Sequence, residues 1–258
     1  MLYLPALNAD FVWDARAQIL VDDFIHQPRN LPAVLSMRVL GLDVLDNNRP
    51  INLLTLMLDS AFWVKNPFGY HLTSVLWHAG TVALLFLFCT NFTSRAWAFA
   101  VALIFAAHPF NCEAVAEVSY REDLLAAFFV LAGLNFATVF KPERSWKALF
   151  IGFASVFCFF VAISAKENAV AGPVVLAAYW WLFRREEKRA GWLLLIAGAG
   201  IAVGGFLAAR FLLQPKESVI FHEPPARLGR QAQGKIGTAA VAVAQGNDIL
   251  AAGVNLRE

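Results

Sequence analysis

Hydrophobic positions along this chain gather into six runs, roughly 71–90, 95–110, 121–140, 146–164, 168–183 and 190–213, separated by short polar stretches. A helix rises about 1.5 Å per residue, so about 20 apolar residues cross a hydrocarbon core of about 30 Å. Runs of this length predict an all-α, polytopic membrane protein with about six transmembrane helices. The second run is short and ends at His108-Pro109. The fourth and fifth form a hairpin around "AKEN" at 165–168, and Pro173 stands near the start of the fifth, where a missing N–H costs least.

Residues 1–70 have a different pattern. The first eight read as the end of an apolar segment that starts upstream. Segments 31–45 and 50–63 each predict a helix with an apolar face. In the second, Asn48 is placed to cap, Pro50 falls in the first turn, and Ile51, Leu54, Leu58 and Phe62 share one face. Trp63 and Tyr70 suit an interfacial aromatic belt. These segments therefore predict helices lying on the outer leaflet. Three parts result: 1–70 as an outer-face loop after a truncated span, 71–213 as the transmembrane domain, and 214–258 as an outer-face tail with no assigned role.

Composition supports a membrane chain. It is 59% hydrophobic and 16% charged, whereas soluble domains carry about 45–50% apolar and about 25% charged residues. A net charge of +2 gives no footprint for nucleic acid. Three cysteines without a C-x-x-C support neither a disulfide framework nor a zinc site.

The placement of the positive residues sets sidedness. Arg95, then Lys141, Arg144 and Lys147, then Arg184, Arg185, Lys188 and Arg189 mark alternate connections, as cytoplasmic loops do. Residues 109–120 hold no Lys or Arg, and 165–168 hold only Lys166. Segments 1–70, 109–120, 165–168 and 214–258 thus lie on the outer side.

That side collects the ionisable residues Asp10, Asp14, Arg16, Arg49, His71, His78, His108, Glu113, Glu117, Arg121, Asp123, Lys166 and Glu167. They come from four distant segments and predict a polar cleft at the outer surface. Charge at bilayer depth is costly and usually faces protein or water. The span centres are nearly free of charge, unlike those of a transporter with a midplane site.

Plainer readings accompany each candidate. Asp14 in "FVWDARAQI" also reads as a helix cap or loop acid, and Arg49 as a snorkelling anchor. His71 and His78 share a helix face and read as buried, hydrogen-bonded histidines. No supporting ligand makes them a metal site. Glu113, Glu117 and Arg121 at i, i+4, i+8 predict one helical face, with Glu117 and Glu122 as solvated rim partners. Lys166 and Glu167 also read as solvated charges ending a hairpin.

The ordered set "FVWDA", "NRPINLLTLMLDSAFWVKNPFGYHLTSVLWHAGTVALLF", "HPFNCEAVAEVSYREDLLAAFF" and "SAKENAVAGPVVL" resembles the membrane part of the transmembrane and tetratricopeptide-repeat O-mannosyltransferase-like proteins and their bacterial relatives, within the C-type glycosyltransferase superfamily. The resemblance covers about residues 3–185. It implies an enzyme that moves a mannose-like sugar from a polyprenyl-phosphate carrier to an acceptor hydroxyl at the outer or lumenal face, in a bacterial chain the periplasmic face of the inner membrane. It implies Asp14 as the catalytic base, with Ala15 where the family carries a second acid. Arg49, Arg121 and Lys166 would hold the donor phosphate. His71, His78, Glu113, Asp123 and Glu167 would support these groups or bind the acceptor. Ser74 and Ala165 are further departures, and the family's later spans and repeats are not in these residues. The partners implied are membrane lipids, the lipid-linked sugar and a protein or glycan acceptor. No cofactor or metal is assigned. A non-catalytic scaffold or degenerate transferase is the main alternative, and a transporter of lipid-linked substrates the third.

Overall fold

The computed structural model describes residues 3–143 and 145–214, so the expected outer-face tail lies outside the described residues. The described chain is helical, without strands among the described residues. Its principal helices are α1 (Pro50–Trp63), α2 (Pro67–Cys89), α3 (Arg95–Ala107), α4 (Phe110–Ala116), α5 (Arg121–Val139), α6 (Trp146–Ala165), α7 (Ala171–Tyr179) and α8 (Arg189–Leu213). Local signals start several of them. Asn66 accepts a hydrogen bond from Phe68 N at 3.1 Å ahead of Pro67. Ser94 caps α3 and Ser145 caps α6 in the same way.

Four helical segments are long and apolar enough to cross a membrane: Pro67–Cys89, Val118–Val139, Trp146–Ala165 and Arg189–Leu213. The pair Arg95–Ala107 and Phe110–Ala116 adds a fifth if taken as one span bent by 63°. The bend falls at the expected His108-Pro109. The count is therefore four to five, not the six that the apolar runs suggested. The fifth run is interrupted: a 3-10 turn (Glu167–Val170) leads into α7, and a π-helical turn (Trp180–Arg184) follows it. Arg184 closes that end by donating to Thr138 O at 3.0 Å and Phe140 O at 3.3 Å, which ties the turn to the end of α5.

The long helices pack closely where side chains are small. A Cβ on Gly133 would lie 3.1 Å from the Phe159 ring and 3.2 Å from Ser155 O, so this glycine sets the approach of α5 to α6. Ser155 Oγ donates back to Gly133 O at 2.8 Å. Asn135 Nδ2 donates to Leu84 O of α2 at 3.0 Å. Small residues and satisfied polar groups are the usual joints between helices in lipid. Leu125, Phe159, Leu176 and Trp192 anchor one core cluster across α5, α6, α7 and α8.

A second core cluster belongs to the N-terminal part. Phe11, Ile19, Ile25, Val34, Leu53, Leu56 and Tyr70 pack together, so the turns before α1 form a layer over α1 and the start of α2. This differs from two separate amphipathic helices. Segment 31–45 breaks into a helix (Leu31–Leu35) and a 3-10 turn (Arg38–Gly41), joined through Met37 at φ 59°. Helix α1 does form, but Arg49 occupies its cap position and no side chain caps it. Leu53, Leu56, Asp59 and Ser60 are buried, while Leu58 and Phe62 of the expected apolar face stay 52% and 80% exposed. Protein therefore takes the face with Leu53, Leu56 and the polar groups, Ile51 and Leu54 pack at its edges, and only Leu58 and Phe62 of the expected face stay open.

Candidate polar site at one end of the helix bundle

The chain gathers its charges where the starts of α1, α2 and α5 meet the ends of α6 and α8. The deepest element is a buried ion pair. Arg121 Nη1 lies 2.6 Å from Asp59 Oδ2, with Arg121 fully buried. The same guanidinium donates to Tyr70 O at 2.7 Å and to Ser74 Oγ at 3.2 Å. Thr73 Oγ1 donates to Asp59 Oδ1 at 2.8 Å. Arg121 thereby joins α5 to α1 and α2. The expected phosphate role finds no exposed surface on Arg121 here, because its guanidinium is engaged by a carboxylate and two further oxygens.

Next to it lies a wider network. Arg49 Nη1 meets Glu122 Oε2 at 2.6 Å and Asp46 Oδ1 at 3.1 Å. Lys166 Nζ lies 2.6 Å from Asp123 Oδ2 and 3.2 Å from Glu122 Oε1. Glu167 Oε2 is 3.3 Å from Arg210 Nη1 and 3.9 Å from Arg49 Nε. Asp46, at φ 56°, is held by Gln18 Nε2 at 2.8 Å and Asn52 Nδ2 at 3.2 Å. Glu122 is therefore the buried centre of the network. The reading of Glu122 as a solvated rim partner is corrected, because Arg49 and Lys166 both turn toward it.

Three cations, Arg49, Lys166 and Arg210, face four carboxylates, Asp46, Glu122, Asp123 and Glu167. An anionic ligand must therefore displace a carboxylate. The two most open acids are Asp123 and Glu167, with side chains 39% and 42% exposed. Their departure would open Lys166 and Arg49 to a phosphate oxygen. Burial works against the Lys166 ammonium, but its bond to Asp123 and the charge of Glu122 hold it above the ordinary lysine value. Burial likewise opposes the Glu167 carboxylate, yet a backbone N–H, Arg210 and Arg49 keep it below its ordinary value.

The acids nearer the chain start form a separate group. Asp14 is exposed, while Ala15 beside it is buried. Glu117 lies against this turn, accepting from Ser119 Oγ at 3.0 Å. Burial pushes its carboxyl above the ordinary value, against the Ser119 hydrogen bonds, and the Asp14 charge adds to the rise. Glu117 is thus not a solvated rim acid. Nor do Glu113, Glu117 and Arg121 share one helical face: α4 ends at Ala116, a 3-10 turn spans Val118–Tyr120, and α5 starts at Arg121.

Both α2 histidines are buried, as expected, but the expected hydrogen bond is made at His78 and not at His71 among the described residues. His71 stacks near Phe11 with centroids 6.3 Å apart, and His78 packs edge-on to Tyr3 at 5.0 Å, with Nε2 3.4 Å from Ala106 O. His108 and Glu113 are exposed at the bend and make no ion pair among the described residues. No cluster of His, Cys, Asp and Glu among the described residues could hold a metal ion.

Sequence reasoning missed Asp46, Asp59 and Arg210. Asp59 carried a signal, being an acid in an otherwise apolar helix. Arg210 carried another, as the sole charge late in an apolar run.

No family model matches the chain, and no solved structure matches it significantly. Among curated proteins it is 32% identical over 177 residues to the protein O-mannosyl-transferase Tmtc1 of Drosophila melanogaster, covering 66% of this chain and 20% of that protein. It is 30% identical over 189 residues to human protein O-mannosyl-transferase TMTC2, covering 69% and 22%. Human TMTC1 is 38% identical over 91 residues, 34% of this chain and 10% of that protein. The chain spans about a fifth of the length of the first two. Over about two thirds of its own length, this chain is a relative of the TMTC-type protein O-mannosyl-transferases.

Proposed function

We propose that this chain is part of a membrane glycosyltransferase that passes a mannose-like sugar from a polyprenyl-phosphate carrier to an acceptor hydroxyl, on protein or glycan, at the outer or lumenal face. The observation that carries this reading is the half-open Arg49–Glu122–Lys166 network at one end of an apolar bundle, in a chain related to protein O-mannosyl-transferases. A lipid-linked donor keeps its tail in the leaflet and its sugar phosphate at the surface, where such a network would meet it. Arg49 and Lys166 bind the donor phosphate once Asp123 and Glu167 turn aside. Exposed Asp14 is the base that takes the acceptor proton. His71, His78 and Glu113 have supporting roles in positioning the site or the acceptor. Helix α1 lies on the outer leaflet with Leu58 and Phe62 toward lipid. The fly and human relatives are animal proteins, so the face is proposed as outer or lumenal, without a bacterial compartment.

The second reading is a non-catalytic scaffold or degenerate transferase. It is favoured by buried Ala15 and by the pairing of every cation in the network with a carboxylate. Transfer assays separate the two readings. Proteoliposomes holding the chain, polyprenyl-phosphate mannose and an acceptor peptide should release polyprenyl phosphate only with acceptor present. Asp14→Asn, expressed equally, should lose transfer by about 100-fold or more. Undiminished transfer in that variant would remove Asp14 as base, and acceptor-independent binding without transfer would favour the scaffold.

A further inference from the structure

A groove of about 520 Å³ runs along the last turns of α8, walled by Phe160 of α6 and by the turn at Met37–Gly41. Its volume falls within the about 300–1,000 Å³ of small-molecule sites. Ala202, Gly205 and Ala209 give it a floor without bulky side chains, and a Cβ at Gly205 would meet nothing within 4 Å. The lining is apolar except at one corner, where Ser36 and Arg38 stand. Arg38 is exposed and makes no ion pair among the described residues, unlike Arg49, Arg121 and Arg210. Arg210, next in sequence to the lining residue Ala209, pairs with Glu167, which also lies 3.9 Å from Arg49 Nε.

An apolar trench with one unpaired cation at its mouth fits an amphiphile with a hydrocarbon tail and an anionic head. We propose that this groove holds the first isoprene units of the lipid-phosphate carrier, with its phosphate at Arg38. The assignment rests on the transferase reading above, and it places the resting donor phosphate at Arg38, outside the carboxylate-paired network. A branched isoprenyl chain suits the width left by the small residues of the floor. The rest of a long polyprenyl tail would leave the groove along α8 into the bilayer. The lining residues Ala209 and Leu213 flank Arg210 in sequence, and Arg210 pairs with Glu167, so the groove and the carboxylate network share the end of α8.

The test is binding of radiolabelled geranylgeranyl phosphate to the full chain in phosphatidylcholine nanodiscs, competed by geranylgeraniol or hexadecyl phosphate. Arg38→Gln should weaken geranylgeranyl phosphate by about tenfold and leave competition by the alcohol unchanged. Gly205→Trp should remove binding of both, with helicity unchanged by circular dichroism. Arg38 is an exposed side chain, so its variant keeps the test decisive if Gly205→Trp misfolds. Three results overturn the proposal: equal competition by hexadecyl phosphate, cross-linking of the groove to residues 215–258 in place of lipid, or wild-type binding in both variants. The last leaves the transferase reading standing if sugar transfer persists. A wild-type chain that neither binds geranylgeranyl phosphate nor transfers sugar removes both.

Discussion

Removal of Asp59 should show how far the candidate site depends on a charge pair that no ligand reaches. Asp59→Ala leaves Arg121 fully buried with only Tyr70 O and Ser74 Oγ as acceptors. Breaking a buried pair from one side costs about 3–5 kcal/mol. The guanidinium cannot shed its proton, so no titration relieves this variant. Arg121→Met leaves the other partner, but Asp59 can take up a proton and keep its bond from Thr73. Asp59→Ala should therefore be the worse single change. The double variant buries no unpaired charge, so the two effects should fall short of additivity by about 2–3 kcal/mol. Equilibrium unfolding in mixed micelles, followed by tryptophan fluorescence, measures all four corners of the cycle. Additive losses, or a milder Asp59→Ala than Arg121→Met, would refute the argument that the pair is an isolated buried unit.

Further outcomes follow from the same geometry. Gly133→Leu should separate α5 from α6, because its Cβ already meets Phe159 and Ser155 O, and should cost about 1–3 kcal/mol by the same unfolding assay. Lys166→Gln should raise the donor KM about tenfold and shift the unfolding midpoint little, since the ammonium is partly exposed and bonded to the open acid Asp123. Glu167 has a depressed carboxyl value relative to 4.5. Its contribution to stability is therefore present above pH 4.5 and is lost as pH falls through the folded value. A pH series of unfolding midpoints for wild type and Glu167→Gln should converge below that value; an unchanged gap would contradict the assignment. Glu117 behaves oppositely, because burial raises its carboxyl above 4.5. Its contribution is full below 4.5 and is lost as pH rises through the folded value, so Glu117→Gln should gain on wild type toward neutral pH in the same series.

The sequence by itself determined the class of this protein and the end at which its charges collect. Apolar runs 71–90, 121–140, 146–164 and 190–213 became four long helices because hydrocarbon-length apolar segments satisfy their backbone only as helices in lipid. The break at His108-Pro109 was legible too, since proline removes a donor and restricts the residue before it. The resemblance built on the ordered motifs agreed with the relatives found by comparison. Helical spacing failed where the chain left regular helix. It put Glu113, Glu117 and Arg121 on one face, whereas the turn at Val118–Tyr120 re-aims all three. It gave α1 an apolar stripe through Ile51, Leu54, Leu58 and Phe62, but no sign of the buried face with Asn52, Asp59 and Ser60.

Only the tertiary structure decided which cations stay open. Arg121, Arg49 and Lys166 look alike in sequence, each beside acids in a polar stretch. Their partners come from positions 43 to 62 residues away in the cases that separate them: Asp59 for Arg121, Glu122 and Asp123 for Lys166. Burial and pairing of a charge depend on those distant contacts, which local periodicity does not encode. A buried charge requires its counter-charge, whereas a half-exposed one can exchange it for a ligand. That difference separates Arg121, which is fully buried, from Lys166, whose side chain is 16% exposed.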